Sequence, residues 1–134
     1  MREILFRGMT VNGKFVEGNL SILKNDLYYS AKIDKGYYIA NSCGAPFAYQ
    51  VRPDTVGQFT GLVDRNGKRI FEGDVIHDED SGAIGEVFFN NDGTGGYSTW
   101  FLGVGYNCAL SVLDSTNLVI IGNIHDNPEL MEVK

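Results

Sequence analysis

The dipeptide Asn66-Gly67, set between Val63-Asp64-Arg65 and Lys68-Arg69-Ile70, constrains the fold of this chain more than any other stretch. Both residues accept the positive φ that a type I′ turn demands, so the segment predicts two short strands folded back on each other. In that hairpin Val63 and Ile70 face a core, while Arg65, Lys68 and Arg69 stay in water. Glu72-Gly73-Asp74 predicts a second bend, after which Val75 and Ile76 re-enter a sheet. Residues 55–76 thus fix an architecture but contain no recognisable catalytic group.

The rest of the chain continues in the same short-strand pattern. Ile4 and Phe6 alternate with Glu3, Leu5 and Arg7, and Asn12-Gly13 predicts another turn of the I′ kind. Phe15, Val16, Leu20 and Ile22 resume the alternation, with Gly18 breaking the period as a bulge would. A tyrosine-rich strand is predicted over 27–33, turned by Asp34-Lys35-Gly36 into 37–40, and a short strand over 47–51 stops at Arg52-Pro53. Further strands are predicted over 83–89, 97–102, 108–113 and 118–124. Asn127-Pro128-Glu129-Leu130 then places a proline at the first position of one helical turn, behind an asparagine cap. No run keeps apolar residues at helical spacing over three turns, so the chain reads as all-β. Leu118-Val119-Ile120-Ile121 is its most apolar run and predicts a strand covered on both faces. Val56-Gly57-Gln58-Phe59 and Ile121-Gly122-Asn123-Ile124 share one pattern, either as neighbouring strands closing a barrel or by coincidence.

Three segments carry a family resemblance. Residues 58–62 (Gln-Phe-Thr-Gly-Leu), 64–68 (Asp-Arg-Asn-Gly-Lys) and 70–76 (Ile-Phe-Glu-Gly-Asp-Val-Ile) together resemble the signature of the YopX family, small proteins of bacteriophages, prophages and other mobile elements. Residues 2–8 are similar to its opening strand, and 119–124 with Asn127-Pro128-Glu129-Leu130 to its closing motif. The resemblance implies an SH3-like β-barrel in residues 55–134, with an N-terminal antiparallel sheet in residues 1–54 packed on it. It implies no established biochemical activity and brings no catalytic residues. Residues 23–52 and 90–115 carry no motif.

At 134 residues and 43% hydrophobic content the chain has ample material for a packed core. Its net charge of −6 disfavours simple binding to a phosphate backbone, because an acidic surface repels nucleic acid. The one basic cluster, Arg65, Lys68 and Arg69, sits on the hairpin and reads as a solvated turn. No signal peptide is read ahead of Ile4 and no apolar run reaches the length of a bilayer, so the expected location is the bacterial host cytoplasm. There Cys43 and Cys108 are expected to stay reduced.

Candidate chemistry is thin. His77 with Asp78, Glu79 and Asp80, and His125 with Asp126, are metal-ligand types, but a site needs three or four of them to converge. Adjacent acids more often form a solvated loop, so no metal or other cofactor is expected. Gly93-Thr94-Gly95-Gly96-Tyr97-Ser98 looks like a phosphate cradle but lacks a following lysine and a helix, and reads as a hairpin loop. Ser98, Ser111 and Ser115 have no histidine placed beside them. The ambiguous resource is aromatic: Tyr28, Tyr29, Tyr37, Tyr38 and Tyr49 in the first half, and Tyr97, Trp100, Phe101 and Tyr106 in the second. Tyr97, Trp100 and Tyr106 are the expected binding residues, since exposed aromatics on small barrels grip peptides or stack on bases. The expectation is a non-enzymatic accessory protein that binds a protein partner, as a monomer or homo-oligomer. The alternatives are a nucleic-acid module using its aromatic faces and, behind it, a small metal-dependent hydrolase using His77 and His125.

Overall fold

The computed structural model describes residues 4–40, 48–89, 96–101, 107–110 and 115–131. The chain divides into two compact units, Met1–Gln58 and Phe59–Lys134. Both are antiparallel β structures, and among the described residues no helix is long and apolar enough to cross a membrane.

In the first unit β1 (Phe6–Met9), β2 (Phe15–Leu23), β5 (Gly36–Ala40), β6 (Ala48–Val51) and the start of β7 (Gly57–Val63) pair in the order β6-β5-β2-β1-β7. A tight hairpin of β3 (Leu27–Tyr28) and β4 (Lys32–Ile33) interrupts the connection between β2 and β5. The single tyrosine-rich strand expected over 27–33 is therefore two, turned where the Tyr29 N–H donates to the Ala31 carbonyl. Strand alternation puts Gly8, Val16, Leu20, Ile39, Tyr49 and Val51 on one face of the sheet. That face is concave: a Cβ on Gly8 in β1 would lie 2.9 Å from the Val51 side chain in β6. The curl is fastened where the Arg52 N–H donates to the Met9 carbonyl at 2.9 Å, and the Met9 N–H donates to Thr55 Oγ1 at 2.9 Å. Gly18 is not the expected bulge, because the β1–β2 ladder reaches it and the β2–β5 ladder starts at Asn19, both without a register shift. It is a close approach instead: a Cβ there would fall 2.0 Å from the Ala40 carbonyl oxygen.

In the second unit the remainder of β7 pairs with β8 (Arg69–Phe71). A second sheet holds β9 (Asp74–Asp78), β10 (Ile84–Phe89), β11 (Tyr97–Phe101), β12 (Asn107–Ala109) and β13 (Leu118–Asn123) in the order β12-β11-β10-β9-β13. The pairing runs from one edge to the other without returning, so among the described residues the strands form open sheets, not a closed barrel. Ile70, Ile76, Val87, Leu110 and Leu118 make the core, with Leu62, Tyr97 and Ile120 packed against it. The predicted helical turn is a 3₁₀ turn at Pro128–Met131, seated over Gly122, where a Cβ would meet Leu130 at 2.8 Å.

Three expectations are corrected here. The turn at Asn66-Gly67 is not type I′, because among the described residues none but glycine has positive φ, so of this pair only Gly67 does, at +81°. The Gly67 N–H donates to the Asp64 carbonyl and the Asp64 N–H to the Lys68 carbonyl, which is a type I turn closed by a glycine bulge. Thr10–Lys14 repeats the pattern bond for bond, with Gly13 at +80°. Second, Leu62 and not Val63 packs on the core, while Val63 is 45% exposed. Gly61, at φ +90°, lies in the irregular stretch between the Phe59–Phe71 and Val63–Arg69 pairs, where β7 carries two more residues than β8 and strict alternation of faces is lost. Thr60 Oγ1 spans the gap by donating to the Ile70 carbonyl at 2.8 Å. Third, β13 is an edge strand beside β9 and is not covered on both faces: Leu118 is fully buried but Ile121 is 40% exposed. Ile121 is the extra residue of a bulge between Ile120 and Gly122. A strand buried on both faces is β9, whose Val75 and Ile76 are both 0% exposed. Nor are the two glycine-containing echoes neighbours, since β13 pairs with β9 and β7 with β1 and β8.

The turn assignment makes a sharp prediction. No atom would obstruct a side chain at Gly67, so Gly67→Val meets only the backbone penalty of positive φ, roughly 1–3 kcal/mol. Asn66→Ala, at a residue with negative φ, is expected to change stability by less than about 0.5 kcal/mol. Equal losses for both variants in chemical denaturation would restore the type I′ turn.

Candidate functional site

Several carboxylates are engaged by the fold itself. Asp64 is 4% exposed, and its carboxylate accepts the N–H groups of Asn66 and Lys68 within the turn and of Ile120 in β13, at 2.9–3.0 Å. Burial alone would raise its pKa, but the N–H groups of Ile120, Lys68 and Asn66 outweigh that and hold it below the usual carboxylate range. Asp74, 1% exposed, accepts the Phe71 N–H at 2.8 Å across the bend at Glu72-Gly73. Asp78 accepts the Asp80 N–H at 2.9 Å, and Glu79 pairs with Arg65. Asp126 accepts from the Asn123 side chain at 3.2 Å.

The two histidine segments do lie on adjoining strands, yet the register parts them. His77 pairs with Val119 near one end of the β9–β13 ladder, while His125 lies beyond the Asn123–Asp74 pair at the other. Among the described residues no three His, Cys, Asp or Glu side chains gather as a metal would need. Of the basic cluster, Arg69 lies 5.9 Å over the Phe59 ring and Arg65 holds Glu79, so both are engaged within the unit.

The aromatic residues divide. Tyr97 is half-buried, edge-on to Phe89 at 5.3 Å and packed on the core. Trp100 stands in β11 opposite Glu86. Tyr106, Cys43 and Gly93–Gly95 of the expected cradle lie outside the described residues. In the first unit Tyr38 donates its hydroxyl to the Asp34 carbonyl at 2.7 Å. Tyr28 and Tyr29 stand at the β3–β4 hairpin, 73% and 78% exposed, beside Lys32, which pairs with Asp26 and Asp34.

The first unit also carries a groove of about 520 Å³ at the mouth of its concave face. The β1–β2 turn supplies Thr10, Val11, Asn12 and Lys14, β2 supplies Phe15 and Val16, and the edge strand β6 supplies Tyr49 and Gln50. Val11 projects into water at 85% exposure. Behind the wall, the Arg7 guanidinium sits 4.2 Å over the Phe15 ring. Among the described residues Lys14 is the one charged residue lining the groove.

Comparison with known proteins agrees with this β architecture. The sequence pattern of the YopX protein family matches residues 6–132. The chain belongs to the YopX family. A search of the curated proteins finds no match. Among solved structures, the crystal structure of protein EF1440 from Enterococcus faecalis is similar at 24% identity and a TM-score of 0.56. The likeness spans 98% of this chain and 100% of that one, and shows a shared fold.

For this YopX family member, reading the residues passed over the groove, although the Asn-Gly-Lys repeat at 12–14 and 66–68 was a signal for matched turns. It also passed over Glu86, which faces the fully buried Val75 across the ladder and lies on β10, against which the turn Pro128–Met131 packs. Desolvation there raises its pKa. A carboxyl raised in the folded state contributes most to stability below its unfolded value of about 4.3, and that contribution is lost as pH rises through the folded value. Glu86→Gln is therefore expected to raise Tm at pH 7 by on the order of 1–3 °C, and the difference to vanish towards pH 4. A pH-independent difference in thermal melts would show that Glu86 is solvated.

Proposed function

We propose that this is a non-enzymatic accessory protein of a bacteriophage or prophage, acting in the cytoplasm of the host by binding a protein partner through a β-sheet surface. The observation that carries this reading is a division of labour among the described side chains. Asp64, Asp74, Asp78, Glu79 and Asp126 hold turns and strands, while Val11, Ile22, Tyr28 and Tyr29 stand 49–85% exposed on the first unit. Exposed apolar and aromatic side chains on short strands are what a protein interface uses. Family membership supports the mobile-element setting, and the same resemblance implies an SH3-like arrangement of the second unit, a scaffold that commonly binds peptides. Of the expected binding residues Tyr97 is packed on the core, so Trp100 and Tyr106 are the ones we assign to a binding surface there. Self-association through either unit is compatible with this role.

A second reading has one observation in its favour. Tyr28 and Tyr29 stand 73% and 78% exposed in the segment 24–35, where Lys24, Lys32 and Lys35 outnumber Asp26 and Asp34 by one in a chain of net charge −6. Stacking of bases on those rings would make the protein a single-strand binder.

Affinity capture from lysogenic cells with mass spectrometry, paired with fluorescence anisotropy on oligonucleotides at low salt, separates the two. The proposal expects one protein captured in near-stoichiometric amount and no oligonucleotide binding. Tight, salt-sensitive binding to single strands with no captured protein would replace it with the second reading.

A further inference from the structure

The edge strand β6 and the groove beside it fit an extended peptide. Among the described residues β6 pairs only with β5, so its outer side is open. In an antiparallel strand, alternate residues send both N–H and C=O to the same side. The Arg52 N–H points away from β5, because it donates to the Met9 carbonyl. By the same parity Gln50 and Ala48 present their backbone groups outward, and Gln50 lines the groove. Sheet curl brings β6 up to β1 at Arg52 and Met9 but leaves it apart from the β1–β2 turn above that bond. The gap has a backbone edge on one side and Val11, Phe15, Val16 and Tyr49 for walls. Its volume, about 520 Å³, lies in the range of clefts that hold ligands.

We infer that this groove receives an extended segment of a partner protein, added as a strand to β6, with alternating apolar side chains and one aspartate or glutamate placed at Lys14. The inference rests on the protein-binding reading above and names its site and partner chemistry. Backbone bonds to Ala48 and Gln50 supply register, and the walls select apolar side chains on one face of the added strand. Lys14 selects the acid: among the described residues it is the only charged residue lining the groove. An acidic segment is thus drawn to a positive site on an otherwise negative chain.

The test uses the full chain and a displayed library of short random peptides. Selection is expected to enrich segments with alternating apolar residues and one acid. Their binding should slow amide exchange at Ala48 and Gln50 and weaken about tenfold or more in Lys14→Glu, but not in the distant control Lys24→Glu. Gln50→Pro, which removes an outward N–H and no ladder bond, should abolish binding while the protein stays folded. Lys14→Glu keeps the test decisive if the proline variant fails to fold. No enrichment, enrichment without the acid, or equal binding by Lys14→Glu would overturn the groove assignment. If a partner captured from lysogenic cells binds wild type and Lys14→Glu alike, the protein-binding reading stands and the groove assignment falls.

Discussion

The second unit depends on one buried carboxylate. Asp64 sits at the start of the hairpin turn, and its side chain accepts two N–H groups of that turn and a third from Ile120 on a strand 56 residues further along. The neighbouring Arg65 N–H donates to the Leu118 carbonyl at 2.8 Å, so the turn is bonded into the end of β13 at two points. Those bonds place Leu118 and Ile120 on the core beside Ile70 and Ile76. A local turn motif thereby fixes a non-local contact, the kind that costs most chain entropy to form. Burying a carboxylate is tolerable because three donors meet it, and leaving any of those donors unpaired in the interior would be costly.

Much of this was legible in the residues, and the failures share a cause. Turn positions followed from Asn-Gly and Gly-Asp pairs, and the all-β class from the absence of helical spacing. What alternation could not supply was phase. The irregular stretch around Gly61, a glycine at positive φ, leaves Leu62 inward and Val63 outward, and a bulge at Ile121 turns one residue of the most apolar strand to water. Nor does hydrophobicity report a strand's neighbours: β9, with only Val75 and Ile76 as aliphatics, is buried on both faces and lies between β10 and β13. The carboxylates misled in a related way. Asp78, Glu79 and Asp126 resembled ligands in sequence, but their bonds go to backbone, an amide and an arginine nearby.

The two units use the same turn differently. In the second, the turn and a buried carboxylate are tied to a distant strand. In the first, the same Asn-Gly-Lys turn has Thr10 where the second has Asp64, and its flank opens into a groove beside β6, which among the described residues pairs only with β5. Substituting a hydroxyl for a carboxylate at the head of the turn removes the group that, in the other copy, reaches out and captures a strand. The first turn borders a site where a strand from elsewhere could be received.

The central claim is that the Asp64 carboxylate, as an anion, holds the hairpin turn to β13. Its pKa is lowered in the folded state, so its contribution is present above the unfolded value of about 3.9 and lost as pH falls through the folded value. Denaturation of the wild type and of Asp64→Asn across pH tests this directly. The amide keeps the shape but turns one acceptor into a donor facing N–H groups. We predict a loss of about 1–3 kcal/mol at pH 7 that shrinks steadily as the pH is lowered below 4. A loss that is absent at pH 7, or unchanged in acid, would contradict the account.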